Sequence, residues 1–152
     1  MLLNKKRAEE KMAEHNIRAL VSTSPANVFY VSDLCPYGRC IALLPEDRNI
    51  EPAVIAPISG PTPVVLMSVP WISDVRYYGE FYTMTRWAKE PLTDAERKLV
   101  EAQESWERTR ETDPSKILIK LLMERGITKG TIGVDETCLP SDSPFWDEIR
   151  NE

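Results

Sequence analysis

The chain has 152 residues, of which 42% are hydrophobic and 28% charged, and this composition suits one soluble globular domain. The formal net charge of −5 argues against nucleic acid or anionic lipid as a partner, and no apolar run approaches the roughly 20 residues of a membrane span. The charged start, Lys5-Lys6-Arg7, is unlike the apolar core of a secretory signal. We therefore predict a single domain over residues 1–152, located in the cytoplasm.

The first third of the chain predicts a helix, a strand and a short helical turn. Asn4 is placed to cap a helix over Lys5 to His15, and Asn16 suits a left-handed stop after it. The short apolar run Ala19-Leu20-Val21 is typical of a buried strand. Pro25 then favours the opening of a single helical turn.

The middle of the chain predicts a hairpin and an edge strand. Cys40 to Leu44 and Ala53 to Ala56 are two apolar runs separated by an acidic turn, which indicates an antiparallel pair. The stretch from 61 to 69 suits either a helix or a strand. Asp74 to Tyr78 is predicted to be an edge strand that ends at Gly79.

The last third predicts further helices and one more strand. Thr93-Asp94-Ala95-Glu96 is a capping box for a helix reaching about Arg108, and Asp113-Pro114 caps the next helix, which Gly126 ends. The buried stripe of that helix is predicted to be Ile117, Leu118, Leu121 and Leu122. Thr131 to Val134 is predicted as a strand, and Pro144 starts a final helix. Strands that alternate with amphipathic helices predict an α/β domain with a mixed β-sheet flanked by helices.

Histidine and cysteine residues offer little chemistry. His15 is the single histidine and falls near a helix end, where a surface or capping role is expected. Cys35, Cys40 and Cys138 lack the paired spacing of a disulfide framework or a zinc knuckle, so free thiols in the cytosol are predicted. Neither a catalytic residue nor a metal ligand is predicted in this chain.

Three blocks of sequence, in this order, resemble a known family. They are Ser24-Pro25-Ala26-Asn27-Val28-Phe29-Tyr30 after the opening helix, the hairpin from Cys40 to Pro57, and the helix-Gly-strand element from Arg125 to Glu136. The pattern resembles the creatinase/prolidase amino-terminal domain, which is the non-catalytic half of the Xaa-Pro dipeptidases and aminopeptidases, the M24 pita-bread metallopeptidases. The proline-rich stretch 60–69 and the long stretch 83–111 depart from the family pattern.

The resemblance implies a fold with a ribonuclease H-like motif and a division of labour between two domains. The catalytic pita-bread domain is absent from this chain, and we expect the parent protein to continue past Glu152 into it. By resemblance, that domain would hold two divalent metal ions (Mn, Co or Zn) and hydrolyse the peptide bond before proline. This domain would bind no cofactor, would support a homodimer, and would close over the cleft that binds the peptide substrate.

The loop after the helical turn contains the best candidates for contact with a substrate or a partner subunit. Tyr37 and Arg39 lie in it, and a guanidinium binds a carboxylate with two parallel hydrogen bonds. The plainer interpretation is a surface loop with a solvated arginine. Asn27 is a third candidate, with the alternative that its amide satisfies backbone groups in the turn while Tyr30 packs into the core.

Tryptophans and one pair of carboxylates complete the candidates. Trp71 and Trp87 fall in loops where an aromatic side chain can anchor a protein interface, whereas Trp106 and Trp146 are predicted to pack on helices. Adjacent residues of a strand point to opposite faces, so Asp135-Glu136 is predicted to have a structural or surface role.

Two other functions remain open from the sequence. The chain could be a stand-alone module that binds a peptide or protein with this fold. It could also be the amino-terminal domain of a creatinase-like amidohydrolase that acts on a small amidine, amide or cyclic compound. A metal requirement of the full-length protein would separate the peptidase from the creatinase-like enzyme.

Overall fold

The computed structural model describes residues 2–36, 38–58, 71–79, 91–94, 96–97, 100–101, 104, 111–135 and 144–151. Its helices and strands, in chain order, are α1 (Lys5–Glu14), β1 (Ile17–Ser22), α2 (Pro25–Ser32), β2 (Ile41–Pro45), β3 (Ala53–Pro57), β4 (Asp74–Tyr78), α3 (Pro114–Glu124), β5 (Thr131–Val134) and α4 (Pro144–Asn151).

The strands form one mixed sheet in the order β4-β3-β2-β1-β5. The predicted hairpin is confirmed, because β2 pairs antiparallel with β3, and β2 also pairs antiparallel with β1. The other two pairings, β1 with β5 and β3 with β4, are parallel. Four strands therefore run in one direction and β2 runs against them, which confirms the predicted fold class. Among the strands that the structure describes, β4 lies at one edge of the sheet, as predicted, and an isolated parallel bridge joins Tyr78 to Glu111.

Helices cover both faces of the sheet. On one face, Met12 of α1 and Val28 of α2 pack with Leu44 of β2 in one buried cluster. On the other face, Leu118 of α3 and Trp146 of α4 belong to a second cluster built on the alternate residues of the same strands. All five residues of β2 are buried, because helices cover the central strand from both sides.

Local signals account for the ends of the first two helices. Asn4 caps α1 by accepting a hydrogen bond from the backbone N–H of Arg7 at 3.1 Å, and Asn16 has the predicted left-handed conformation with φ 54°. The prediction of a single turn after Pro25 was wrong, since α2 continues to Ser32. Val28 and Val31 are buried against the sheet, and this tertiary packing extends the helix beyond its local signal.

The helix Pro114–Glu124 also begins and ends where the sequence predicts, and the helix after Thr93 begins there. Asp113 caps α3 by accepting a hydrogen bond from the backbone N–H of Ser115 at 2.9 Å, and Gly126 follows the helix with φ 67°. The capping box is present, because the Thr93 hydroxyl accepts from the backbone N–H of Glu96 at 3.3 Å. The end of that helix near Arg108, and the ambiguous stretch 61–69, lie outside the described residues.

Charged side chains fasten α3 to the edge strand β4. Arg125 follows α3, and its guanidinium lies 2.7 Å from the Asp74 carboxylate and donates to the backbone carbonyl of Glu51 at 2.7 Å. Arg76 lies 2.5 Å from the other oxygen of Asp74. Burial alone would raise the pKa of Asp74, but the hydrogen bonds from Arg76 and Arg125 outweigh burial and lower it.

Two further observations concern the cysteines and the lengths of the helices. Cys35 and Cys40 form no disulfide bond, and Cys138 lies outside the described residues. In the part of the chain that the structure describes, every helix is too short or too polar to cross a bilayer.

Replacing Leu118 with alanine tests the core beneath α3. Leu118 is fully buried, so the cavity and the lost transfer free energy should lower the free energy of unfolding by about 2–5 kcal/mol. Met123→Ala on the same helix is the matched control, because Met123 is 50% exposed and should cost less than about 1 kcal/mol. Urea denaturation measures both, and equal losses would contradict the described packing.

Candidate functional site

One edge of the sheet brings together the segments that the sequence singles out. Strands β1, β3, β4 and β5 all end at this edge, and β2 begins there, because Ser22 pairs with Ala42 and Ile41 with Ile55. We call it the carboxyl edge. In open α/β sheets, ligands bind preferentially at the carboxyl ends of the strands. The carboxyl edge is therefore the candidate site.

Helix α2 starts at the carboxyl edge, directly after β1. The Ser24 hydroxyl accepts a hydrogen bond from the backbone N–H of Asn27 at 3.3 Å, and Pro25 occupies the first helical position, where a missing N–H costs nothing. Thr23 and Ser24 are both buried. The junction between β1 and α2 is thus a buried turn, and its backbone N–H groups need hydrogen-bond acceptors.

Asp135 supplies that partner. Strands β1 and β5 are parallel with Val21 opposite Val134, so Asp135 leaves β5 beside the end of β1. One carboxylate oxygen accepts from the backbone N–H and hydroxyl of Thr23, at 2.7 and 2.6 Å. The other accepts from the backbone N–H and hydroxyl of Ser24, at 3.0 and 2.8 Å, and from the Asn27 side-chain amide at 2.8 Å. We call this set of five hydrogen bonds the Asp135 anchor.

The anchor sets the charge state of Asp135. Burial alone would raise the pKa of Asp135, but the hydrogen bonds from Thr23, Ser24 and Asn27 favour the ionised form and lower it. The positive end of the α2 dipole lies at the same place and also favours a negative charge. A carboxylate held in this way suits a structural anchor and not a proton donor.

The structure corrects two expectations for the turn and agrees with a third. Asn27 is exposed. Its side-chain amide donates a hydrogen bond to the carboxylate of Asp135, whereas the sequence predicted that it would satisfy backbone groups of the turn. The expectation that Tyr30 packs into the core was wrong: it is 45% exposed, and its hydroxyl accepts from the backbone N–H of Asn4 at 3.3 Å. The predicted structural role of Asp135 agrees with the anchor, and Glu136 lies outside the described residues.

Arg39 lies at the carboxyl edge, just before β2. Its backbone carbonyl accepts a hydrogen bond from the Tyr78 hydroxyl at 2.8 Å, which ties the loop to the end of β4. Gly38, with φ 77°, brings the loop close to Pro57 at the end of β3. Arg39 itself is exposed. Arg39 and Asn27 thus share one edge of the sheet, while Tyr37 lies outside the described residues.

The tryptophans divide between core and surface. Trp146 is buried in the α3–α4 cluster, as predicted. Trp71 is half-buried against the cluster that α1 and α2 cover, and within the described residues its ring N–H has no hydrogen-bond partner. Its predicted role at an interface stays a prediction, and Trp87 lies outside the described residues.

Two further observations concern ligands. Across the ranges that the structure describes, no three His, Cys, Asp or Glu side chains lie close enough together to hold a metal ion. A cavity of about 450 Å³ lies between α3, β5 and α4; most of its lining side chains are apolar, Thr128 and Lys129 are polar, and neither Asn27 nor Arg39 lines it. The carboxyl edge therefore remains the candidate site.

The comparisons with known proteins give one family match. Residues 5–55, from α1 into β3, match the model of the Creatinase/Prolidase N-terminal domain, which confirms the resemblance that the sequence indicated. The matched segment contains the Ser24–Asn27 turn and the loop to Arg39. No curated protein sequence matches the chain.

Two solved structures are similar at a distance. One is a proline dipeptidase from Streptococcus agalactiae 2603V, with a TM-score of 0.38 and 18% identity over 72% of this chain and 92% of that chain. The other is the aminopeptidase P, Xaa-Pro aminopeptidase from Streptococcus thermophilus, with a TM-score of 0.39 and 18% identity over 95% of this chain and 94% of that one. The likeness to the family is therefore carried by the match over residues 5–55, which is about a third of the chain.

Replacing Asp135 with asparagine tests the anchor. The amide keeps the size of the side chain but removes the charge and one strong acceptor, so buried donors of Thr23 or Ser24 lose their partner. We expect the free energy of unfolding to fall by about 2 kcal/mol at neutral pH, measured by urea denaturation. Asp94→Asn is the matched control, because the Asp94 side chain is 90% exposed, and should change stability by less than about 0.5 kcal/mol.

Lowering the pH should weaken the Asp135 anchor. Because the folded-state pKa of Asp135 lies below its ordinary value of 3.8, the carboxylate contributes stability that is present above that value and lost as pH falls through the folded pKa. The stability difference between the wild type and Asp135→Asn should therefore narrow below pH 3.8. A difference that stays constant from neutral pH to about pH 3 would contradict the assignment.

Proposed function

We propose that this chain, whose residues 5–55 match the model of the Creatinase/Prolidase N-terminal domain, is the non-catalytic amino-terminal domain of a cytoplasmic Xaa-Pro dipeptidase or aminopeptidase. In this proposal the domain pairs two subunits and forms one wall of the substrate cleft. The single observation that carries it is the family match, which spans α1, β1, α2, β2 and the start of β3.

The carboxyl edge supports a role in contact and not in chemistry. The Asp135 carboxylate is occupied by five hydrogen bonds, and the amide of Asn27 is committed to it. Arg39 is an exposed cation at this edge, and the backbone of the loop that carries it is tied to Tyr78. An exposed guanidinium can bind the carboxylate of a peptide or of a partner subunit.

The metal ions of such an enzyme would belong to a separate catalytic domain. The described residues do not fit a metal, because no group of three ligating side chains comes together among them. A two-metal site activates water for hydrolysis where a catalytic domain provides it. This chain would contribute position and enclosure to that site.

The first test identifies the parent protein. The native protein that carries this amino terminus is purified from its source and its intact mass is measured. A mass well above 17.4 kDa, together with cleavage of Xaa-Pro dipeptides that depends on added Mn²⁺ or Co²⁺, supports the proposal. A mass near 17.4 kDa contradicts it and favours a stand-alone binding module, and metal-independent hydrolysis of small amidines favours the creatinase-like alternative.

Replacing Arg39 with glutamine in the full-length enzyme tests the cleft contact. Loss of a charge-assisted hydrogen bond to substrate should raise KM for Xaa-Pro substrates by about tenfold and change kcat less. Arg48→Gln is the matched control, because Arg48 lies in the β2–β3 turn at the opposite edge and its side chain is 72% exposed. Equal kinetics for the Arg39 variant and the wild type would contradict a role for Arg39 in the cleft.

A further inference from the structure

A second concave surface lies away from the carboxyl edge. It is a shallow groove of about 260 Å³ between α1, β1 and the exposed side of α2, and we call it the α1 groove. Its floor is formed by apolar side chains, namely Ala8, Met12, Ile17 and Leu20. The function proposed above makes no use of this surface.

Gly133 of β5 shapes the floor. A Cβ atom at this position would lie 2.6 Å from a terminal methyl group of Leu20 and 3.3 Å from one of Ile17. The absent side chain therefore leaves room for Leu20 and Ile17 to lie over the edge strand. Both are half-buried, so the floor offers apolar surface that a ligand can cover.

The rim of the groove is basic. Arg7, Lys11 and His15 line it at intervals of four residues, which places them on one face of α1. All three are exposed. Among the described residues that line the groove none is a carboxylate. A chain with a net charge of −5 thus presents a local cationic border beside an apolar floor.

The neighbouring carboxylate does not close the rim. Lys11 lies 2.5 Å from Glu14, but both side chains are 57% exposed, and exposed pairs one turn apart contribute little stability. Lys11 can therefore exchange Glu14 for an incoming carboxylate. The Tyr30 hydroxyl borders the groove from α2 and adds a further polar group.

We propose that the α1 groove binds an acidic, apolar peptide segment of a partner protein, with one aliphatic side chain on the floor and flanking carboxylates on Arg7 and Lys11. The groove is smaller than the roughly 300–1,000 Å³ typical of sites that enclose a small molecule, but it is large enough for one side chain. The overall negative charge disfavours a nucleic acid or an anionic membrane, whereas a short segment meets only the local rim.

His15 provides a direct reporter, because it is the single histidine of the chain and lies on the rim. The imidazole proton resonances of the 152-residue chain are followed by NMR at constant pH during titration with N-acetylated, C-amidated Glu-Leu-Glu. We expect a saturable shift. The same titration with Gln-Leu-Gln removes the charges, and Glu-Gly-Glu removes the aliphatic side chain.

The expected affinities distinguish the contribution of the basic rim from that of the apolar floor. Each altered peptide should bind about twofold to fivefold more weakly than Glu-Leu-Glu. The double variant Arg7→Gln/Lys11→Gln should lower the affinity for Glu-Leu-Glu by a similar factor. Glutamine is a good helix former, so α1 should persist, and far-UV circular dichroism checks this. Lys6→Gln is the matched control, because Lys6 lies on α1 outside the groove and should leave binding unchanged.

Three results would overturn the proposal. The first is the absence of a saturable His15 shift with Glu-Leu-Glu. The second is equal binding of Gln-Leu-Gln or Glu-Gly-Glu, which would mean that charge or the apolar floor plays no part. The third is unchanged binding by the Arg7→Gln/Lys11→Gln variant.

Discussion

The structure depends on one carboxylate that joins two distant parts of the chain. β5 is a four-residue strand that reaches the sheet through parallel pairing with β1. Such a short parallel strand has few ladder hydrogen bonds, and Asp135 adds five more directly at its end. The same carboxylate satisfies the buried donors of the turn that starts α2. The Asp135 anchor therefore fixes the last strand of the sheet and the first turn of α2 with one group.

This constraint bears on the contact role that we propose for the carboxyl edge. α2 is held at its start by Asp135 and along its length by the burial of Val28 and Val31, so the loop that follows it begins from a fixed point. The loop is held at its other end by the hydrogen bond from Tyr78 to the backbone of Arg39. A loop with two fixed ends would lose less backbone conformational freedom on binding. In the function that we propose, this preorganised backbone would support contact with a neighbouring domain.

The features that the sequence predicts well are those with local causes. The stripe of α3, the cap at Asn4 and the stop at Gly126 follow from helical spacing and backbone conformation within a few residues. The length of α2 and the exposure of Tyr30 were predicted wrongly, because each depends on which face of the segment meets the sheet. The anchor was missed as a site because Asp135 and its partners are 108 to 112 residues apart. The available signal was a polar Thr23-Ser24 pair after one strand and an acid after another, which becomes informative once their parallel pairing is known.

A double-mutant cycle on Asp135 and Thr23 tests the anchor most directly. Thr23 is buried, and Thr23→Val removes its hydroxyl while keeping its shape. The free energies of unfolding of the wild type, Thr23→Val, Asp135→Asn and the double variant are measured by urea denaturation at neutral pH. We predict a coupling energy above about 1 kcal/mol between the two residues. Additive effects within about 0.5 kcal/mol would show that the carboxylate and the turn act independently, and would contradict the account.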